Sequence, residues 1–363
     1  MVVRMATCAE RECVVTWRLI AAGSKLGGDR VMPDAEGNIT FGVVGLGMGK
    51  GRSRMVSETE GAKLVAVCDL IEEKAKSVAE ERGCDWYTDY EKMLEREDID
   101  VIYVMTFSGL HAEHGIMAAQ AGKHVVSTKP LDVSLAKVDE LIAECRSRGL
   151  KLVTDFSGRY SADNLAIRNA VQSGKLGRII LAEARLKWFR TQDYYDHNGG
   201  WRGTWHMDGG GSLSNQTVHF IDQLCWIMGD VTSVYAELGA FNHDIEGEDL
   251  GTAILSFANG ARGVIVGTTT FPKNYYSGVE IHGDRGAVTN TRPAGVEWIW
   301  AEGCEVPAED LVVTPPASNA ADDMIRAIRQ DTEPHVSGEE GRKSVVVLEA
   351  LRKSNSTHET VKI

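Results

Sequence analysis

From Ile39 onward the chain alternates short apolar runs with stretches of helical periodicity. Ile39–Val44 reads as a buried strand and Leu64–Cys68 as a second, followed by a charged helix over Ile71–Arg82. Val101–Met105 and His124–Ser127 are further apolar runs, separated by a helical segment at Ala112–Ala121. Ser134–Arg148 carries Leu135, Val138, Leu141 and Ile142 on one helical face, and Leu152–Asp155 closes the series. Strands alternating with helices of this length predict βαβ units and a parallel sheet.

After Tyr160 the pattern changes. A helix over Asn164–Ser173 precedes a long strand-like run, Arg178–Phe189, and a glycine-rich stretch then opens a helix near Leu213. Ala253, Leu255 and Phe257 alternate with more polar neighbours. Asn259-Gly260 follows, the strongest short hairpin signal, and then Val264–Thr270. Val279 and Ile281 alternate before a Gly283-Asp284-Arg285-Gly286 turn. Strands joined by tight turns predict an antiparallel sheet, one face covered by helices and the other open to water or a second subunit. Helices over about Ser318–Gln330 and Glu339–Lys353 finish the chain. The expected organisation is an extension over 1–38, a nucleotide-binding region over 39–157 and a substrate-binding, oligomerising region over 158–363. The last helices should pack back on the first region.

Composition narrows the class. The 363 residues carry 39 basic and 52 acidic side chains, a net charge of −13, which argues against a nucleic-acid partner. No apolar run reaches the roughly 18 residues that span a bilayer. Seven scattered cysteines, without Cys-x-x-Cys or zinc spacing, suit reduced thiols in a cytoplasmic protein. Residues 1–38 read as a disordered extension or an early start, with Met32 a candidate true start; Arg18 interrupts the apolar stretch that a signal peptide would need.

Three blocks carry chemistry. The strand Ile39–Val44 runs into Gly45-Leu46-Gly47-Met48-Gly49-Lys50-Gly51. A glycine turn between strand and helix lets backbone approach a pyrophosphate at a helix N-terminus. The third glycine arrives one place early for G-x-G-x-x-G, at Gly49. Asp69 ends the next strand, where a carboxylate binds ribose hydroxyls and repels a 2′-phosphate; this favours NAD over NADP. The second block is a buried strand ending in Thr128-Lys129-Pro130. Ligands of open α/β sheets sit outside the strands' carboxyl ends, so Lys129 is aimed at the nicotinamide end of the crevice. The third is Trp201-Arg202-Gly203-Thr204-Trp205-His206-Met207-Asp208 and the triple glycine, then a helix carrying Asn215, His219 and Asp222 on a polar face. The glycines there would let a ligand approach closely. His111 and His114 lack a third ligand, so no metal is expected. Cys225 falls on the apolar stripe as core packing.

The GLGMGKGR turn, the SGLHAEHGIMAAQAGKHVVSTKPL block, WRGTW…DGGGSLSNQTVHFID and the closing AIRQDTEPHVSGEEGRKSVVVLEAL together resemble the Gfo/Idh/MocA oxidoreductase family, over about residues 39–363. The resemblance implies α/β plus α+β architecture: an N-terminal Rossmann, doubly wound parallel sheet, then an open antiparallel sheet, with the site between. It implies that Lys129 holds the place of the family's Glu-Lys-Pro lysine and His219 that of its acid/base histidine. Two positions depart from the family: Thr128 stands where the family has glutamate, and Asn215 where it has aspartate. Asn215 would then orient His219 through a neutral amide. Gly45, Gly47, Met48, Gly49, Asp69, Thr106, His111, Lys129, Trp201 and Arg202 form the expected cofactor set, with Phe107 and Ser108 replacing the usual Pro-Asn after Thr106. Tyr160, Tyr194, His197, Trp205, Asn215 and His219 form the expected substrate set, and Lys129, His219 and Asn215 the catalytic one.

The function expected is an NAD-dependent dehydrogenase acting on a secondary hydroxyl of a sugar, sugar acid or cyclitol. The alternatives are a relative that cycles bound NAD to cleave a glycosidic bond without net oxidation and, more remotely, a non-catalytic NAD-binding regulator. The partners expected are a small carbohydrate or cyclitol and other copies of the chain, as a homodimer or homotetramer through the second sheet, with no nucleic acid and no membrane.

Overall fold

A computed structural model describes residues 37–363; the expectations for the extension lie outside the described residues. The first half is a sheet of β1 (Ile39–Val44), β2 (Ala62–Cys68), β3 (Asp85–Tyr87), β4 (Val101–Val104), β5 (His124–Thr128) and β6 (Leu152–Asp155). The helices between them are α1 (Gly49–Glu58), α2 (Glu72–Arg82), α3 (Tyr90–Leu94), α4 (His111–Gln120) and α5 (Leu135–Ser147). The six strands run parallel in the order β3-β2-β1-β4-β5-β6. That order reverses direction between β1 and β4, and a ligand crevice opens at such a switch point. The strands are apolar on both faces because helices cover both: all residues of β1 and β4 are buried.

The second half holds α6 (Ala162–Gln172), β7 (Ile179–Lys187), α7 (Gln192–Asp196), a π-helical turn (Ser212–Thr217), α8 (Val218–Met228), β8 (Val231–Gly239), β9 (Leu250–Phe257), β10 (Arg262–Thr268), β11 (Tyr276–Gly283), β12 (Gly286–Arg292), β13 (Gly295–Trp300), α9 (Ala320–Gln330), α10 (Gly338–Thr357) and β14 (Val361–Lys362). The hairpins at Asn259-Gly260 and Gly283–Gly286 form as the sequence predicts. The sheet is mixed rather than purely antiparallel, because β7 pairs parallel to β10. Eight strands take the order β13-β12-β11-β7-β10-β9-β8-β14. The inner face is buried, with Ala253, Leu255 and Phe257 turned to the core, while Ile180, Ile254 and Ile299 are exposed. α8 is apolar on nearly every side because α6, α10 and β7 all pack on it.

The closing helices join the halves. Thr154 N–H donates to Val336 O at 2.8 Å, and Arg342 Nε donates to Asp139 Oδ1 at 2.5 Å. Arg352 of α10 reaches both sides, donating to Val133 O at 3.0 Å and to Gly209 O at 3.1 Å. Each half of the crevice is thereby tied to one helix.

Candidate active site

The glycine turn lies where the switch point predicts. Gly45 has φ +87° and a Cβ there would sit 2.6 Å from Met105 O, so only glycine lets the end of β1 pass the end of β4. At Gly47 a Cβ would meet nothing, which leaves this part of the turn open. Gly49 packs its backbone on Met105. Asp69 sits beside the turn, with Oδ2 accepting from Leu46 N–H at 2.7 Å and Oδ1 from Ile71 N–H at 2.9 Å. These bonds fix the carboxylate at the crevice edge. Met48, Leu70, Ile71 and Phe107 are exposed apolar side chains around this edge, an unusual concentration at the end of a buried sheet. The open turn, the fixed carboxylate and the apolar flanks fit an adenine dinucleotide.

Lys129 ends β5, and its Nζ donates to the backbone oxygen of Asn215 at 2.5 Å across the crevice. Burial holds its pKa down at about 8, an effect that Asp208 and Asp155 partly offset. Asp155 is itself engaged by Arg52 Nε at 2.5 Å and Tyr103 Oη at 2.8 Å. His111 is placed differently from expectation. It is 1% exposed, with Nδ1 2.7 Å from Pro130 O and Nε2 3.0 Å from Thr106 O. It therefore ties the end of β4 to the Lys129-Pro130 segment rather than presenting a ring to a ligand. Thr106 Oγ1 is 2.9 Å from His114 Nδ1.

The wall opposite is the 201–208 loop. Trp201 stacks on Phe107 at 4.8 Å between ring centres. Gly109 N–H donates to Met207 O at 2.8 Å, and a Cβ at Gly109 would lie 2.3 Å from His206 O. Trp201 Nε1 is buried with no hydrogen-bond partner among the described residues. The Arg202 guanidinium lies 4.5 Å over the Tyr194 ring, whose hydroxyl accepts from Gln216 Nε2 at 2.7 Å.

The polar-face reading of Asn215, His219 and Asp222 is corrected by the helix itself. Ser212–Thr217 is a π turn that precedes α8, with Thr217 Oγ1 donating to Ser212 O. It sets Asn215 apart from the α8 face, and the three side chains have different surroundings. Asn215 Nδ2 donates to Asp208 Oδ1 at 2.6 Å rather than orienting His219. His219 stands edge-on to Phe156 and makes no hydrogen bond recorded among the described residues. Burial first, then the charges of Lys129, Arg52 and Arg292, hold its pKa well below the usual imidazole value. Asp222 is buried in a bidentate pair with Arg159, at 2.8 and 2.7 Å, away from the crevice.

The triple glycine serves packing rather than ligand approach. A Cβ at Gly210 would lie 2.4 Å from Glu248 Oε2, and one at Gly211 2.1 Å from Glu248 O. Glu248 accepts from Gly211 N–H at 3.1 Å and Leu213 N–H at 2.8 Å, which pins the start of the π turn. Burial pushes its carboxyl up to about 7. Tyr160 is likewise displaced from the substrate set: it is buried and donates to Asp323 Oδ2 at 2.9 Å. His197 is exposed at the start of a 3-10 turn (His197–Gly199), and Trp205 lies on exposed loop, its N–H donating to Glu246 Oε2 at 3.1 Å.

Sequence reasoning missed Asp208, Glu248 and Arg352. Only Asp208 left a trace, an acid abutting three glycines; buried acids in loops have no periodicity to betray them.

Comparison with known proteins agrees with this geometry. Residues 39–156 match the family model described as "Oxidoreductase family, NAD-binding Rossmann fold", and residues 164–289 match the GFO/IDH/MocA C-terminal domain. The inositol 2-dehydrogenase of Rhizobium meliloti is 26% identical over 330 residues, 87% of this chain and 96% of that one. The 1,5-anhydro-D-fructose reductase of Ensifer adhaerens is 29% identical over 318 residues, 84% and 92% of the two chains. Among solved structures, the WlbA dehydrogenase from Bordetella pertussis in complex with NADH and UDP-GlcNAcA superposes with a TM-score of 0.81 at 31% identity, covering 90% of this chain and 99% of that one. With both halves matched by the family's models over this parallel sheet and mixed sheet, the chain is a member of the GFO/IDH/MocA family, an NAD-binding oxidoreductase of the sugar and cyclitol dehydrogenase group.

Proposed function

We propose that the crevice between Lys129 and His219 oxidises a secondary hydroxyl of a sugar, sugar acid or cyclitol, or reduces the corresponding ketone. The observation that carries this is the Lys129–Asn215 bond: it draws a desolvated ammonium and the start of the histidine helix together beside the nucleotide turn. NAD, when bound, accepts the hydride. Asp69 and the Gly45–Gly49 turn would hold its adenosine and pyrophosphate, and Trp201 its nicotinamide end. His219 is neutral near pH 7, because burial and neighbouring cations keep it so, and can take the hydroxyl proton. Lys129 is cationic below about pH 8 and stabilises the alkoxide as it forms.

Arg190, Arg202 and Arg292 form no salt bridge among the described residues, although the chain is acidic overall and Arg202 acts on Asp208 through its charge. They favour an anionic member of the substrate class, such as a uronic acid, free or nucleotide-linked. The exposed outer face of the second sheet, with Ile180, Ile254 and Ile299, favours pairing with a second copy.

The test is NADH formation at 340 nm with inositols, aldoses, uronic acids and nucleotide-linked uronic acids. Turnover with one of these should disappear in Lys129→Ala and His219→Ala while NAD still binds. Undiminished turnover in Lys129→Ala would remove this reading.

A further inference from the structure

We infer that Asp208 is a positioning residue of this site, its ionised carboxylate fixing the Asn215 amide so that its Oδ1 is an acceptor in the crevice beside Lys129. This rests on the site reading above and adds a residue to it.

The geometry is a chain of directed bonds. Asp208 is 1% exposed, and its own loop closes around it. Gly203 N–H donates to Asp208 Oδ2 at 2.9 Å, and Asp208 N–H donates to Thr204 O at 3.2 Å. The remaining oxygen, Oδ1, accepts from Asn215 Nδ2 at 2.6 Å. An ionised carboxylate can only accept. It therefore forces the amide to turn its NH2 inward and leaves Oδ1 outward. No hydrogen bond to that oxygen is recorded among the described residues, and it is not a buried orphan. The backbone oxygen of the same Asn215 accepts from Lys129 Nζ. Asp208 and Lys129 thus grip one residue from opposite sides, with complementary charge.

The acceptor at position 215 is thus a neutral amide whose orientation the buried Asp208 carboxylate dictates. A neutral acceptor can take a substrate hydroxyl's hydrogen bond and leaves His219 as the group that removes the proton.

The arrangement has a pH signature. The groups around Asp208 are Lys129 after β5, Arg202 and Gly203 N–H in its own loop, Asn215 in the π turn, and Tyr194 and Glu248. Burial outweighs the donors and cations and pushes the carboxyl up to about 6. Below that pH the protonated acid can donate to the amide oxygen instead, and Asn215 turns round. His219, held lower, does not account for a limb at that pH.

The experiment compares wild type, Asp208→Asn, and the exchange Asp208→Asn/Asn215→Asp, using the substrate found in the 340 nm screen, with NAD affinity measured alongside. Asp208→Asn should lower kcat about 10- to 100-fold, the scale of a small misplacement of a positioned group. It should abolish the acid limb near pH 6 and leave NAD affinity within about twofold, since it keeps every nucleotide contact. The exchange restores one carboxylate and one amide to the pair and should recover most of kcat. Unchanged kcat and an unchanged acid limb in Asp208→Asn would overturn the inference. So would a loss of kcat that the exchange does not recover with NAD affinity intact, for that is the mark of a merely structural residue. Lys129→Ala serves as the separate control: if it retains full turnover, the site reading fails, whatever Asp208 does.

Discussion

Raising the pH through Lys129's titration tests the sign of its role. Burial is the largest influence on this ammonium and lowers its pKa to about 8; Asp208 and Asp155 only partly restore it. A lowered ammonium pKa means that charge is lost on going up through pH 8. At pH 7 about nine-tenths of the molecules carry the charge, and at pH 9 a little under one-tenth, so a rate that needs the cation falls roughly tenfold across that window. The profile should be read in kcat/KM, which reports the free enzyme that the structure describes. His219 adds no limb in this window, because its pKa is held well below the usual value. Initial rates of NADH formation from pH 6.5 to 9.5 at constant ionic strength are the assay. In Lys129→Ala the descending limb should vanish and kcat/KM at pH 7 should drop about 10²–10³-fold, the cost of one preorganised charge on a developing oxyanion. The reasoning fails if kcat/KM instead rises through pH 8 and that rise is lost in the variant. Lys129 would then be the base, and His219 would need another task.

Three further perturbations probe what holds the site. Asp69→Ala removes the carboxylate fixed by Leu46 and Ile71 N–H; NAD affinity should fall about 10- to 100-fold, the worth of charged hydrogen bonds of about 1.5–3 kcal/mol, and discrimination against NADP should shrink on fluorescence titration. Gly211→Ala drives a Cβ to 2.1 Å from Glu248 O; the overpacking should cost about 1–3 kcal/mol, read as a lowered thermal midpoint, with kcat falling as the π turn shifts. Asp222→Ala strips Arg159 of its bidentate partner and leaves Glu340 Oε2, at 2.9 Å, as its remaining carboxylate; removing half of a buried pair should cost about 3–5 kcal/mol in denaturant unfolding, while kcat per folded molecule holds.

Much of the architecture was legible because it is periodic. The buried strands of the first sheet announce themselves as unbroken apolar runs, and the β9–β10 hairpin as an Asn-Gly between alternating segments. The short β3 and the edge strand β14 were not legible, since three and two residues carry no period. The parallel pairing of β7 with β10 was hidden as well, because it joins segments far apart in the chain. At the site, Lys129 was singled out by strand-end logic and His219 by the family resemblance. Asn215 was misread because extrapolating 3.6 residues per turn back through Ser212–Thr217 ignores the wider π turn, which rotates everything N-terminal to Val218 relative to α8. Asp222, inside α8 with His219, was misread because its partner Arg159 is far away in the chain and unmarked by any local pattern. The triple glycine was misassigned because its close neighbour is Glu248, more than thirty positions away and unmarked by any local pattern.

The ionisable groups at this site are all pushed toward their neutral forms. Lys129 is brought down to about 8, Asp208 up to about 6 and Glu248 up to about 7, each with burial as the leading cause. Glu248 is perturbed from within the second half, by its own burial and by Asp208. Lys129 and Asp208 act on each other across the halves: Lys129 hangs from the parallel sheet and Asp208 belongs to a loop of the second half. Arg352 ties Val133 to Gly209, and Trp201 and Met207 close on Phe107 and Gly109, at the seam where these two groups meet. The apposition of the two halves therefore sets their proton affinities as well as the shape of the crevice. Water admitted at that seam would return Lys129 and Asp208 toward their ordinary values. Arg352→Leu, which cuts the strap without touching a reacting group, should accordingly move the alkaline limb of kcat/KM upward from about 8, toward the ordinary lysine value of about 10.4. A variant that loses rate with the limb unmoved would show that the strap sets geometry alone.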